Sequence, residues 1–317
     1  RGGIVMRVSR ARRTTALATL PLLAMGAFAA SASGQACTYD FPAGGGTKAT
    51  LAAGEVACGG PGSDYVTAMN GGVFYGRGGS DYVSVQRGGK FVGGAGADGV
   101  GTQYGGVFKG YGGLDMIDQQ HGTFHAGAGD DEVLALRPGA RYNGGLGDDK
   151  VLVEQSGGTF VGGPGNDRVE RQTGGWYQGG LGRDRAVYVE DGAVFVGGPG
   201  ADSVREVAED ATFRGDRGND RAGRVEHFAD FVGGEGADFA RHVEEYGTFK
   251  GGRGNDRAVY VENHGVFYGA RGRDRITGHL YNATFHGGPG LDSAVIADCS
   301  PWHVLTSVES KSEWECP

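Results

Sequence analysis

The chain has 317 residues, 66 of them glycine, and a formal net charge of −8. That much glycine, against a usual share of ~7%, excludes an ordinary globular core, and the acidic balance argues against nucleic acid and for cations as partners. Beyond residue 36 no apolar run approaches the ~20 residues that a membrane span needs.

The N-terminal stretch reads as a leader. After Met6 come the basic RVSRARR, the apolar ALATLPLLAMGAFAA and the small residues SASGQA. This is the order of a secretory signal peptide, assigned to residues 1–36, with cleavage expected after Ala32 or Ala36. Residues 1–5, ahead of Met6, read as an artefact of start-site choice. The expected destination is extracellular. Five arginines leave with the leader, so the chain from Cys37 carries 25 basic and 38 acidic residues, a formal charge of −13.

Cys37 and Cys58 bracket an expected N-terminal cap, residues 37–58, and Cys299 and Cys316 lie within an expected C-terminal cap, residues 295–317. In an exported protein two local disulfides, Cys37–Cys58 and Cys299–Cys316, are the economical connectivity. Sequence alone leaves the other pairings open.

Between the caps, residues 59–294, the chain repeats itself. Aligned on an aspartate, fourteen units carry Asp64, Asp81, Asp98, Asp115, Asp131, Asp149, Asp167, Asp184, Asp202, Asp220, Asp238, Asp256, Asp274 and Asp292. Their spacing is 16 to 18 residues, and 18 from Asp184 onward. Glycine stands two residues before every aspartate and five before all but one, where Ala126 replaces it. Two residues after the aspartate comes Val, Ile or Ala. Further on stands an aromatic column from Phe74 to Phe285, always seven residues before the next aspartate. Such self-similarity predicts a solenoid, with two short strands per coil centred on the aliphatic and aromatic positions. All length variation falls after the aspartate and before the aromatic, so the aspartate turn tolerates none. Where the aliphatic position shrinks to alanine, as at Ala186 and Ala222, the valine three residues on (Val189, Val225) reads as compensation of core volume.

The turn has the pattern GGxGxDxUx, U being a large apolar residue, and resembles the RTX (repeats-in-toxin, hemolysin-type) calcium-binding repeat. The resemblance implies an all-β, right-handed parallel β-roll of about 14 coils, with calcium between successive turns on one edge. The side chains it assigns to the metal are the fourteen aspartates. The turn backbone would be supplied by glycine pairs such as Gly59 and Gly62, Gly144 and Gly147, Gly162 and Gly165, Gly197 and Gly200, Gly233 and Gly236, Gly251 and Gly254, and Gly287 and Gly290. Fourteen turns leave at most thirteen gaps for Ca2+. The chemistry agrees: glycine lets a backbone turn sharply and aim carbonyls inward, and calcium takes six to eight oxygen ligands. Adjacent ionised carboxylates ~5 Å apart repel by roughly 3 kcal/mol at an effective dielectric of 20, so metal binding and folding are expected to be coupled. Rungs where Arg77, Tyr111, Asp216 or Ala270 replaces the motif's second glycine, and the rung of Ala126, are expected to bind more weakly.

The coil's other half keeps its apolar position but has Ala193, Ala211, Ala229, Gly247, Gly265 or Ala283 in the aspartate slot. One edge is therefore expected to carry ligands and the other plain turns. No nucleophile motif, nucleotide loop or HExxH stands out, and only the 22 residues of the cap precede the repeats. The expectation is a secreted calcium-binding protein without catalysis, its charge columns, including Arg185 and its counterparts, being solvated ladders. The alternative is an adhesive or glycan- or ice-binding solenoid using the outer strand face beside the aromatic column.

Overall fold

Each coil begins where a glycine turn releases the chain into alternation. After Asp184, the strand Arg185–Glu190 turns Ala186 and Val189 inward. After a tight turn, the strand Val194–Pro199 turns Phe195 inward and runs into the next glycine turn. The following coil repeats this with Ser203–Val207 and Thr212–Arg217. The computed structural model describes residues 36–154, 157–296 and 304–313. The leader residues 1–35, and Cys299 and Cys316 with their expected bridge, lie outside these.

Among the described residues all regular structure is β: thirty strands and no helix. Strands two apart in sequence pair in parallel, in two ladders. In one, Ala186 faces Val204 and then Ala222; in the other, Phe195 faces Phe213 and then Phe231. The architecture is an all-β parallel solenoid of about fourteen turns. A coil cannot bury its apolar side alone, so each is stabilised by the coils above and below it.

The core is a set of columns one residue wide. Thirteen aromatic rings from Phe74 to Phe285 stack with centroids 4.5–5.1 Å apart and planes within 15°. That spacing is the rise between neighbouring strands. Phe41 covers the free end, tilted on Phe74 at 5.5 Å. The column five residues after the aspartate is valine in the C-terminal coils, including Val207, whose neighbour Val204 is not reduced to alanine. It is thus a standing column and not volume compensation. In earlier coils it is Met69, Leu136 and the glutamines Gln86, Gln103, Gln120 and Gln172, all fully buried. The glutamine amides donate inward, to the backbone carbonyls of Val107, Thr123, Arg141 and Val194 and, from Gln103, to the side-chain Oε1 of Gln86 at 3.1 Å.

From Glu190 to Gly265 the glycine-poor edge is closed by two-residue turns. The amides of Ala193, Ala211 and Ala229 donate to the carbonyls of Glu190, Ala208 and Glu226 at 3.1 Å. The central residues take positive φ, as at Asp191 (55°), Asp210 (61°) and Phe228 (65°). This is the type I′ turn, whose twist suits tightly joined strands. The buried alanines fill the space that aspartates occupy on the other edge.

At the N-terminal end, Thr47–Leu51 and Val56–Cys58 form a coil beneath the first aspartate rung. Tyr39–Asp40 pairs on Val56–Cys58, and the Cys37–Cys58 disulfide ties this layer together. At the other end, Val304–Thr306 and Ser310–Glu313 add a coil beyond the last rung.

Candidate metal centre

The glycine turns bring all fourteen predicted aspartates into a single column along one edge, each 0–2% exposed. Its hydrogen bonding is regular and directional. The backbone N–H of each aspartate donates to Oδ1 of the aspartate one coil further on, at 2.7–2.9 Å, from Asp64→Asp81 through Asp274→Asp292. The aspartate carbonyl accepts from the next coil as well: Tyr82 donates to Asp64 and Ser203 to Asp184, both at 2.9 Å.

The second carboxylate oxygen is left over. From Asp81 to Asp292, Oδ2 is buried with no hydrogen-bond partner; in Asp64 the orphan is Oδ1, because Oδ2 accepts from Gly60 at 3.2 Å. Except at Asp131, where Ala126 stands in that place, each Oδ2 lies over the glycine five residues earlier. A Cβ on Gly76, Gly144, Gly162, Gly197, Gly233 or Gly251 would collide with it. The same point is approached by a backbone oxygen of the next coil: the Gly93, Ala126 and Gly179 carbonyls stand 2.6–2.7 Å from the Cβ positions of Gly76, Gly110 and Gly162. Two acceptor oxygens converging without a hydrogen between them are unfavourable unless a proton or a cation joins them. The oxygens are hard, one carboxylate and one carbonyl per coil, which suits calcium; the residues present fit that ion.

The electrostatics agree. Burial, aided by neighbouring carboxylates, raises the interior aspartates far above the usual carboxylate range, while the N–H on Oδ1 opposes it. Asp98, Asp131, Asp238 and Asp274 are pushed to about 6. Asp81, Asp167, Asp184, Asp202, Asp220 and Asp256 reach about 7, and Asp115 and Asp149 about 8. The end members Asp64 and Asp292 are raised by burial too.

The other predicted turn residues fall where the motif requires. Gly147, Gly165 and Gly236 take φ of 127–155°, while Gly62, Gly200 and Gly290 hold the same place in their turns. Arg77, Tyr111, Asp216 and Ala270, which replace the glycine four before the aspartate, adopt φ of 73–82°. Their turns keep the loop path at the cost of backbone strain. Gly59 and Gly287, like Gly197, have a carboxylate oxygen over their Cα.

Three contributors lack the motif. Glu309 stands where a fifteenth aspartate would, and its carboxylate accepts the Asp292 N–H at 2.6 Å. The residue before the aspartate forms an outer ladder, as where Asp148 Oδ1 accepts the Asn166 N–H at 2.7 Å and Asn219 Oδ1 accepts that of Ala237 at 2.7 Å. Tyr142, in the aromatic column, sends its hydroxyl to Asp149 Oδ1 at 3.5 Å. Only the outer ladder had a sequence signal, in the recurring Asp or Asn before the aspartate.

Cys37, Asp40 and Cys58 also lie close together, but both sulfurs are in the disulfide and leave no thiolate to bind a metal. No protein-family model, curated protein or solved structure matches the chain.

Proposed function

We propose that this chain is a secreted, non-catalytic β-roll of the RTX type whose ordering depends on calcium. The observation that carries the reading is the column of buried carboxylate oxygens without partners, with a carbonyl of the neighbouring coil converging on the same point in several rungs. Calcium would supply positive charge and a demand for six to eight oxygens. The aspartate turns would hold it, through the Oδ2 atoms and turn carbonyls of successive coils. The alanine-filled edge offers no such oxygens.

The chain's own residues explain the coupling. Ordering the stack removes each carboxylate from water, and only Oδ1 gains a donor in return. Without a cation the column must keep protons that the surrounding pH withdraws, and the glycine-rich backbone is costly to order. In the cytosol, low calcium and reducing conditions would leave the chain unfolded and exportable. Outside, millimolar calcium and oxidation would complete it.

The test is far-UV circular dichroism and limited proteolysis at pH 8, in chelator and during calcium addition, with magnesium as control. The expected result is a protease-sensitive chain that gains β signal at roughly 0.1–1 mM calcium. A chelated chain with its full β spectrum and no response to calcium would overturn the reading.

A further inference from the structure

The outward positions one and three residues after the aspartate carry a row that neither position reveals alone. Over six consecutive coils each carries one arginine at one of them: Arg185, Arg221, Arg257 and Arg275 one residue after the aspartate, Arg205 and Arg241 three after it. Strand register places these coils directly on one another, Arg185 facing Ser203, then Arg221, Phe239, Arg257 and Arg275. One guanidinium per coil thus runs along the axis in a zigzag, about 4.8 Å of rise per step. All six are exposed.

None of the six forms an ion pair among the described residues. Three neighbouring arginines do: Arg168 with Glu170 at 2.6 Å, Arg171 with Glu190 at 3.1 Å, and Arg224 with Glu244 at 3.2 Å. Glu206, beside Arg205, is the one acidic side chain on these six strands outside such contacts. In the loops beside the row, Arg183 and Arg273 stand at the ends and alanine or asparagine between them. At its centre lies a groove of about 360 Å³ lined by Arg221, Ala237, Asp238, Phe239, Asn255 and Arg257. Asp238 turns its carboxylate into the column, so the groove presents two guanidinium groups and no exposed carboxylate.

An acidic chain that keeps six aligned, unpaired arginines on one face has a surface complementary to an anion. Every member is arginine and none lysine, and the guanidinium fork matches carboxylate geometry. We propose that this row docks a linear acidic polysaccharide, bearing about one carboxylate per sugar, along the solenoid axis. A nucleic acid fits less well. It places a charge every ~3.4 Å of strand, denser than the row, and single strands are held by stacking bases on free aromatic faces. Here those faces are taken: Phe239 by Arg257 at 5.5 Å, Tyr188 by Arg171 and Arg205 at 4.8 and 5.7 Å, and Tyr260 by His242 and His279 at 4.8 and 4.7 Å. The row needs the solenoid register, and none of its arginines is a candidate calcium ligand.

The experiment measures binding of a short oligogalacturonate to the full chain by calorimetry, with neutral dextran and a single-stranded DNA oligomer in parallel. The row variant is Arg221→Gln, Arg241→Gln and Arg257→Gln together. The control is Arg171→Gln, Arg214→Gln and Arg253→Gln, which removes the same charge from arginines already paired. Circular dichroism establishes that both fold. The row variant is expected to lose at least about tenfold in affinity and the control less than about threefold. Equal losses, no loss, no uronate binding by the parent even at low salt, or DNA binding as tight as uronate would each overturn the proposal.

Discussion

Replacing Asp202 by asparagine separates the carboxylate's shape from its charge. The asparagine side chain would keep an oxygen to accept the Asp184 N–H, now 2.8 Å from Asp202 Oδ1, and would place an amide where Oδ2 has no partner. Burial first, then Asp220 and Asp216, raises the Asp202 carboxyl from 3.8 to about 7. Its stabilisation is therefore complete below about pH 4, falls as pH rises, and is lost above about 7. Ionising it in place costs at most about 4 kcal/mol, and three such rungs would rival the entire stability of an ordinary domain, on the order of 5–15 kcal/mol. Asparagine escapes this cost. In chelator, Asp202→Asn is expected to match the parent at pH 4 and to exceed it at pH 8, with ~4 kcal/mol as the ceiling. In excess calcium at pH 8 the order should reverse, because the variant lacks a ligand charge. Circular dichroism reads this directly, in calcium at pH 8 as a urea midpoint and in chelator as the pH at which β signal is lost on raising the pH from 4. A variant that loses its β signal at a lower pH than the parent in chelator would refute the account of the orphaned oxygen.

Gly197→Ala drives a Cβ into the Asp202 carboxylate, so it should destabilise the stack by about 2 kcal/mol or more in calcium, measured as a urea midpoint. Phe213→Ala opens a gap in the ring column and should cost about 3–5 kcal/mol, with cleavage by a protease appearing near that coil first. Asp210→Ala replaces an exposed residue of a plain turn, at φ 61°, and should leave the calcium titration unchanged where Asp202→Ala shifts it; equal shifts would mean the edges are misassigned. Non-reducing peptide mapping should recover Cys37–Cys58 as a local bridge, and the Cys299–Cys316 expectation is decided in the same digest.

The solenoid, its two strands per coil and its single aspartate edge were legible because the chain states them fourteen times. The constant seven-residue step from ring to aspartate fixed the turn that carries the chemistry. What stayed hidden has physical reasons. Every residue but proline has a backbone N–H, so no pattern could reveal that the Asp184 amide caps Asp202 Oδ1. Glu309 lost the glycines that would have marked it. Gln86, Gln103 and Gln120 are polar and read as outward, but they face in, where their amides donate to carbonyls at the starts of the facing strands. The unpaired arginines are divided between two positions, so each aligned column shows gaps, and only register closes them.

The aspartate ladder has a polarity. At one end Asp64 has an Oδ1 that no amide meets, and at the other the Asp292 N–H is met by Glu309. Each coil therefore leaves a donor that only the next can satisfy. A chain entering an ordering medium N-terminus first would assemble like a ratchet: every completed coil is a template for its successor, and a stalled end advertises one open amide. Because every step repeats the same bond, removing one whole 18-residue unit returns identical neighbours to each other. Length is thereby decoupled from fold, and the number of rungs can change without inventing a new contact.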